Sequence, residues 1–116
     1  MDNLPLIIKI VPSQHAGQCV LALSGPLTLT NLFNFQEAVR AESAPVMIID
    51  MGAVPFIDSA GLGSIINAHI NCSKTGRRLA LAAVPERVRS LLKMTGVEQI
   101  FAIFPSAQEA QENLAR

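Results

Sequence analysis

The sequence predicts a single α/β domain, spanning residues 1–116, with a mixed, mostly parallel sheet of about five strands and about four helices. Three observations predict it. Short apolar runs of strand length at 6–11, 18–24, 46–51, 79–83 and 99–104 alternate, after the first pair, with stretches of helical periodicity. Gly and Pro fall between the runs, where turns are needed. Half of the 116 residues are hydrophobic and 16% are charged, enough to bury one core and too apolar for a disordered tail.

Each element follows from its residues. Residues 6–11 are β-rich and closed by Pro12-Ser13, and 18–24 resume after a polar turn containing Gly17, so the two pair as a hairpin. Beyond Gly25-Pro26, the residues Phe33, Phe35, Ala38 and Val39 fall at helical spacing until Ser43-Ala44-Pro45, which predicts a helix over 31–42. The unbroken apolar run from Val46 to Met51 predicts a central strand buried on both faces. A helix opening at Ser59 or Ala60 places Leu62, Ile65, Ile66, Ala68 and Ile70 mainly along one side and ends near Thr75, with Gly76 as its C-cap. Residues 79–83 form a further buried strand. Pro85 favours a helix start, Val88, Leu91 and Leu92 follow at i, i+3, i+4, and Gly96 ends the helix. Residues 99–104 close the sheet, and Ser106-Ala107-Gln108-Glu109 reads as a capping box opening a last helix to about Arg116. Strands separated by helices imply right-handed parallel crossovers, the hairpin supplying the antiparallel part.

Composition excludes several functions. Nine Lys or Arg balance nine Asp or Glu, and there is no Trp or Tyr, so neither a cationic field nor a stacking platform for nucleic acid is expected. The apolar stretches fall far short of the roughly 20 residues that span a bilayer. Met1-Asp2-Asn3-Leu4-Pro5 lacks the basic start of a secretory signal. No membrane insertion and a cytoplasmic location are therefore expected. Cys19 and Cys72 show no zinc or thiol-disulfide spacing and read as buried thiols. His15 and His69 have no acidic or cysteine partner at ligand spacing, so no metal is expected. Gly61-Leu62-Gly63 lacks the third glycine of a dinucleotide fingerprint and no P-loop is present, so no cofactor is expected. Ser59 lies in no G-x-S-x-G elbow, which argues against an enzyme with catalytic residues of its own. Arg77 and Arg78 after the second helix read as structural, and Arg87, Arg89 and Lys93 give the third helix a basic, solvated face.

One segment carries chemistry. Asp58-Ser59-Ala60-Gly61-Leu62-Gly63 stands where a strand's loop feeds a helix, at free backbone N–H groups and the positive end of the helix dipole. Two glycines in a helix cost about 1 kcal/mol each against alanine, a disadvantage that implies close approach or a special dihedral. The small Ala60, Gly61 and Gly63 would leave Ser59 open to another protein or to phosphates. Alternatively Asp58 or Ser59 does no more than cap the helix.

Ile48-Ile49-Asp50 followed by Val54-Pro55-Phe56-Ile57-Asp58-Ser59-Ala60-Gly61-Leu62-Gly63 resembles the signature of bacterial anti-sigma factor antagonists, whose fold is the STAS domain. The likeness continues through Gly76-Arg77-Arg78-Leu79, the helix 85–92 and Thr95-Gly96-Val97, and covers nearly the whole chain, more loosely in the first forty residues. It implies that Ser59 is a phosphoacceptor beside acidic Asp58, and that the Ala60, Gly61, Leu62 and Gly63 turn, with Phe56 and Thr28, belongs to a docking surface. The implied partners are a serine kinase that is also the anti-sigma factor and a serine phosphatase, and the implied state is a monomer or weak dimer. Where the family usually carries an acidic residue after the second strand, this sequence has Thr28.

Phosphorylation would place about −1.5 to −2 charges at a helix N-terminus that tolerates them, while burdening any partner packed there with desolvation and repulsion. The resulting expectation is a phosphorylation-controlled binding switch: the unmodified form binds the anti-sigma factor and frees the sigma factor, and phosphorylation at Ser59 ends binding. The competing reading is a non-phosphorylated STAS scaffold or accessory subunit of a transporter or signalling assembly. A third is nucleotide sensing beside the second helix's start, weakened when Gly61 or Gly63 is enlarged.

Overall fold

A computed structural model describes residues 4–115, so the N-terminal Met1-Asp2-Asn3 and the expected helix end at Arg116 lie outside the described residues. Ten elements follow one another: β1 (Ile7–Pro12), β2 (Gln18–Ser24), α1 (Leu32–Ala41), β3 (Val46–Ala53), α2 (Ser59–Lys74), β4 (Arg78–Ala82), α3 (Glu86–Met94), a 3-10 turn (Glu98–Ile100), β5 (Ala102–Phe104) and α4 (Ala107–Leu114). The strands stand in chain order, β1 antiparallel to β2 and every later neighbour parallel. This is the mixed α/β sheet the sequence predicts, with β3 in the middle.

Period-2 alternation divides the core between the two faces. Cys19, Leu21 and Leu23 of β2, Met47, Ile49 and Met51 of β3, and Leu79 and Leu81 of β4 meet α1, α2 and α3 on one side. Val20, Ile48, Ala80 and Ala82 meet Ala110 and Leu114 of α4 on the other. Helix α4 is also pinned by polar groups: the Gln18 amide donates to the Gln111 carbonyl at 2.9 Å, and the Ser13 hydroxyl donates to the Gln111 side chain at 2.8 Å. Of the expected capping box the serine half forms, with the Glu109 N–H donating to the Ser106 hydroxyl.

Three expectations are corrected. Residues 99–104 are not one strand: Gly96, at φ 76°, reverses the chain after α3, Glu98 pairs with Arg89 at 2.7 Å, and the 3-10 turn carries the backbone to a strand of only three residues. Phe33, placed with Phe35 in one helical pattern, is 67% exposed, whereas Phe35 is fully buried, because only one side of α1 meets the sheet. Ile70 likewise faces outward, and the buried side of α2 is Gly61, Leu62, Ser64, Ile65, Ala68 and Cys72.

Candidate functional site

Two loops at the same end of the sheet, 25–31 after β2 and 54–58 after β3, are stitched into one surface. Leu27 bridges Ile57 in parallel fashion. The Leu27 N–H donates to the Phe56 carbonyl and the Asp58 N–H to the Leu27 carbonyl, both at 3.3 Å. Leu27 and Ile57 are buried, so apolar burial fixes what the hydrogen bonds orient.

Asp58 is the N-cap of α2, extended at φ −101° and ψ −176°, and its Oδ1 accepts the Gly61 N–H at 2.8 Å. Its Oδ2 accepts the Leu29 N–H at 3.1 Å, so the cap also anchors the neighbouring loop. Asn31 completes that loop. Its Oδ1 accepts the Thr28 N–H at 2.9 Å and its Nδ2 donates to the Pro26 carbonyl at 2.8 Å. With its side chain committed there, Asn31 precedes α1 without capping it.

Because Asp58 takes the cap, Ser59 is released from it. Ser59 opens α2 as its first residue, is exposed, and its hydroxyl has no hydrogen-bond partner among the described residues. Beside it Thr28 is half-buried, with its hydroxyl 3.0 Å from that of Thr30. Phe56 is half-buried beneath the Arg87 guanidinium, 5.6 Å from the ring centroid.

The two glycines do different things. A Cβ on Gly61 would lie 2.1 Å from the Leu27 carbonyl oxygen, so this glycine lets the two loops close on each other and does not open Ser59 to a visitor. Gly63 is exposed and a Cβ there would meet nothing within 4 Å. Leu62 is buried at 7% exposure and shapes the surface from beneath. Of the eight site residues read from sequence, Gly61 and Leu62 therefore face inward, Ser59 and Gly63 face solvent, and Thr28, Phe56, Asp58 and Ala60 are half-buried at the same end of the sheet.

Sequence reasoning passed over two residues here. Leu29 is 64% exposed on the anchored loop, and Phe33 stands one helical turn further along. Two large apolar groups left in water, one of them on the loop anchored by Asp58, are the signal, and it appears only once burial is known.

Elsewhere, Arg77 and His69 are only partly engaged within the fold, Arg77 Nη2 and His69 Nδ1 being buried with no hydrogen-bond partner among the described residues. Arg77 Nε donates to the Ala44 carbonyl at 2.9 Å. His69 meets Phe101 edge-on at 5.4 Å. Burial pushes the Cys19 thiol up to about 11, reinforced by the nearby Glu42 carboxylate, and burial raises Cys72 in the same direction, so both thiols stay protonated. No helix among the described residues is long and apolar enough to cross a membrane.

The STAS domain family model matches residues 9–110. The chain belongs to the STAS domain family. A curated relative, the anti-sigma F factor antagonist of Paenibacillus polymyxa, is 26% identical over 92% of this chain and 95% of its own length. The crystal structure of an anti-sigma factor antagonist from Mycobacterium paratuberculosis superposes with a TM-score of 0.83 at 21% identity, covering 96% of this chain and 95% of that one. The STAS fold also recurs within the murine Solute Carrier 26 family member A9 anion transporter, with a TM-score of 0.76 at 23% identity over 89% of this chain and 18% of that one.

Proposed function

We propose that the chain is an anti-sigma factor antagonist that works as a binding switch, with Ser59 as the phosphoacceptor and an anti-sigma factor serine kinase as the partner. The observation that carries the reading is the division of labour at α2: Asp58 caps the helix, and Ser59, one residue on, is left exposed and unbonded. A serine needed only for capping would accept a backbone N–H. The family relationship supports the class of partner, and the exposed Leu29 and Phe33 supply the apolar area that protein docking uses.

In this reading the unmodified surface binds through apolar contacts around Ser59. A phosphate placed there gains from the dipole of α2 within its own domain, so the fold persists. Docked, the same dianion beside Asp58 loses water and meets the partner's own groups, so association fails. The kinase and phosphatase supply the catalysis, and this chain supplies the surface.

The test is peptide mass spectrometry of the protein from its native host, growing and stressed, with Ser59→Ala as control, together with affinity measurement against the captured kinase. A condition-dependent phosphate on Ser59 and a loss of affinity of about tenfold or more in Ser59→Asp are expected. A chain never modified, and a Ser59→Asp protein that binds unchanged, would favour a scaffold or accessory role such as the transporter-embedded fold suggests.

A further inference from the structure

Helix α3 has two usable faces. Val88 and Leu92 enter the core. Arg87, Ser90, Leu91 and Met94, at i, i+3, i+4 and i+7, form a second stripe, in which half-buried Leu91 also packs against the core. With Phe56 and Ile57, which lead directly into Asp58 and Ser59, this stripe walls a cleft of about 260 Å³. Met94 at its rim is 83% exposed, a large and adaptable apolar side chain left in water.

The cleft has one charge at its centre. Arg87 lies over the Phe56 ring, and among the described residues no carboxylate lies within ion-pairing distance of it; the ion pair of this helix is Arg89 with Glu98. A guanidinium stacked on a ring keeps its in-plane N–H donors free for a carboxylate. The neighbouring charges do not satisfy it. Asp58 spends both oxygens on Gly61 and Leu29, Thr28 adds no charge, and Glu86 and Lys93 offset each other on the flank of the stripe.

We infer that this cleft receives an acidic, apolar segment of a partner protein, with a large apolar side chain lodged against Phe56, Ile57, Leu91 and Met94 and an adjacent carboxylate paired with Arg87. The inference extends the docking surface proposed around Ser59 onto α3 and rests on that surface being a protein-binding one. It gives the partner a charge: acid on the side that meets α3.

The experiment is an amide-resolved NMR titration of the full isotope-labelled chain with two capped peptides, Asp-Leu-Phe-Asp and Lys-Leu-Phe-Lys. The acidic peptide is expected to shift the amides of Ile57, Arg87, Leu91 and Met94 saturably and to bind about tenfold more tightly than the lysine peptide. Arg87→Glu should reverse that preference and Met94→Asp should abolish binding. Both residues are exposed, and the unperturbed spectrum of each variant reports its fold directly. Equal affinity for the two peptides, shifts centred elsewhere, or no saturable shift at millimolar peptide would overturn the inference. These titrations need neither phosphate nor kinase. Peptide binding as stated with unchanged capture by Ser59→Asp removes the switch and keeps the cleft; loss of capture by Ser59→Asp with no peptide preference does the reverse.

Discussion

The Asp58 carboxylate accepts the Leu29 N–H at 3.1 Å while its other oxygen caps α2 through Gly61 at 2.8 Å. One side chain thus fixes both the helix that presents Ser59 and the loop that presents Leu29. The acidic residue next to the candidate phosphoacceptor is first of all a clamp, and its negative charge comes with that structural duty.

Removing the clamp should cost stability and local order together. Asp58→Ala is expected to lose about 1–2 kcal/mol, the range for a lost N-cap, read as a lower urea midpoint. Amide exchange at Leu29 should accelerate more than exchange in the core of β3, because the lost bond holds that loop. A Leu29 amide as protected as before would show that the bridge from Leu27 to Ile57 and the Asn31 side chain hold the loop without Asp58.

The two helix glycines should respond oppositely to a methyl group. Gly61→Ala drives a Cβ to 2.1 Å from a backbone oxygen, and the loops must part, for a loss of about 1–3 kcal/mol. Gly63→Ala meets empty space and gains helix propensity, up to about 1 kcal/mol. Paired urea denaturation curves decide both signs.

Most of the fold was legible because its signals are local. Pro45 stands immediately before β3, Gly76 and Gly96 stand at positive φ behind α2 and α3, and Ser106 caps α4 through the Glu109 N–H as the spacing implies. What escaped depended on contacts that no local pattern encodes. The 3-10 turn at Glu98–Ile100 answers to Arg89 and to the geometry of the reversal after α3, which no periodicity encodes. At the site, the position of Asp58 and Ser59 at the start of α2 could be read, but the closure of Gly61 on Leu27 and the bond to Leu29 join residues some thirty apart. An exposed Phe33 and a buried Phe35 look alike in sequence, because residues two apart on a helix point to different sides.

That outward pair makes a separable test of the docking surface. Leu29→Ser and Phe33→Ser replace side chains that are 64% and 67% exposed, so stability should change by less than about 0.5 kcal/mol each. Affinity for the captured kinase should nevertheless fall, as measured by calorimetry, since apolar residues central to an interface carry a disproportionate share of binding. Unchanged affinity in the double variant would move the interface off α1.

The buried thiols predict how stability depends on alkaline pH. The Cys19 thiol has its ordinary value near 9 in the unfolded chain and is held up to about 11 when folded, first by burial and then by Glu42. Between those values the unfolded state has released a proton that the folded state keeps, so raising the pH favours unfolding. The contribution is fully present below about pH 9 and is lost as pH climbs through 11, and Cys72 shifts in the same direction. Lysines also titrate there, so the informative quantity is the difference between the parent chain and Cys19→Ala, compared by urea midpoint from about pH 8 to about pH 10.5. The parent should lose stability more steeply over that range, and parallel curves would mean that the thiol ionises as freely in the fold as outside it.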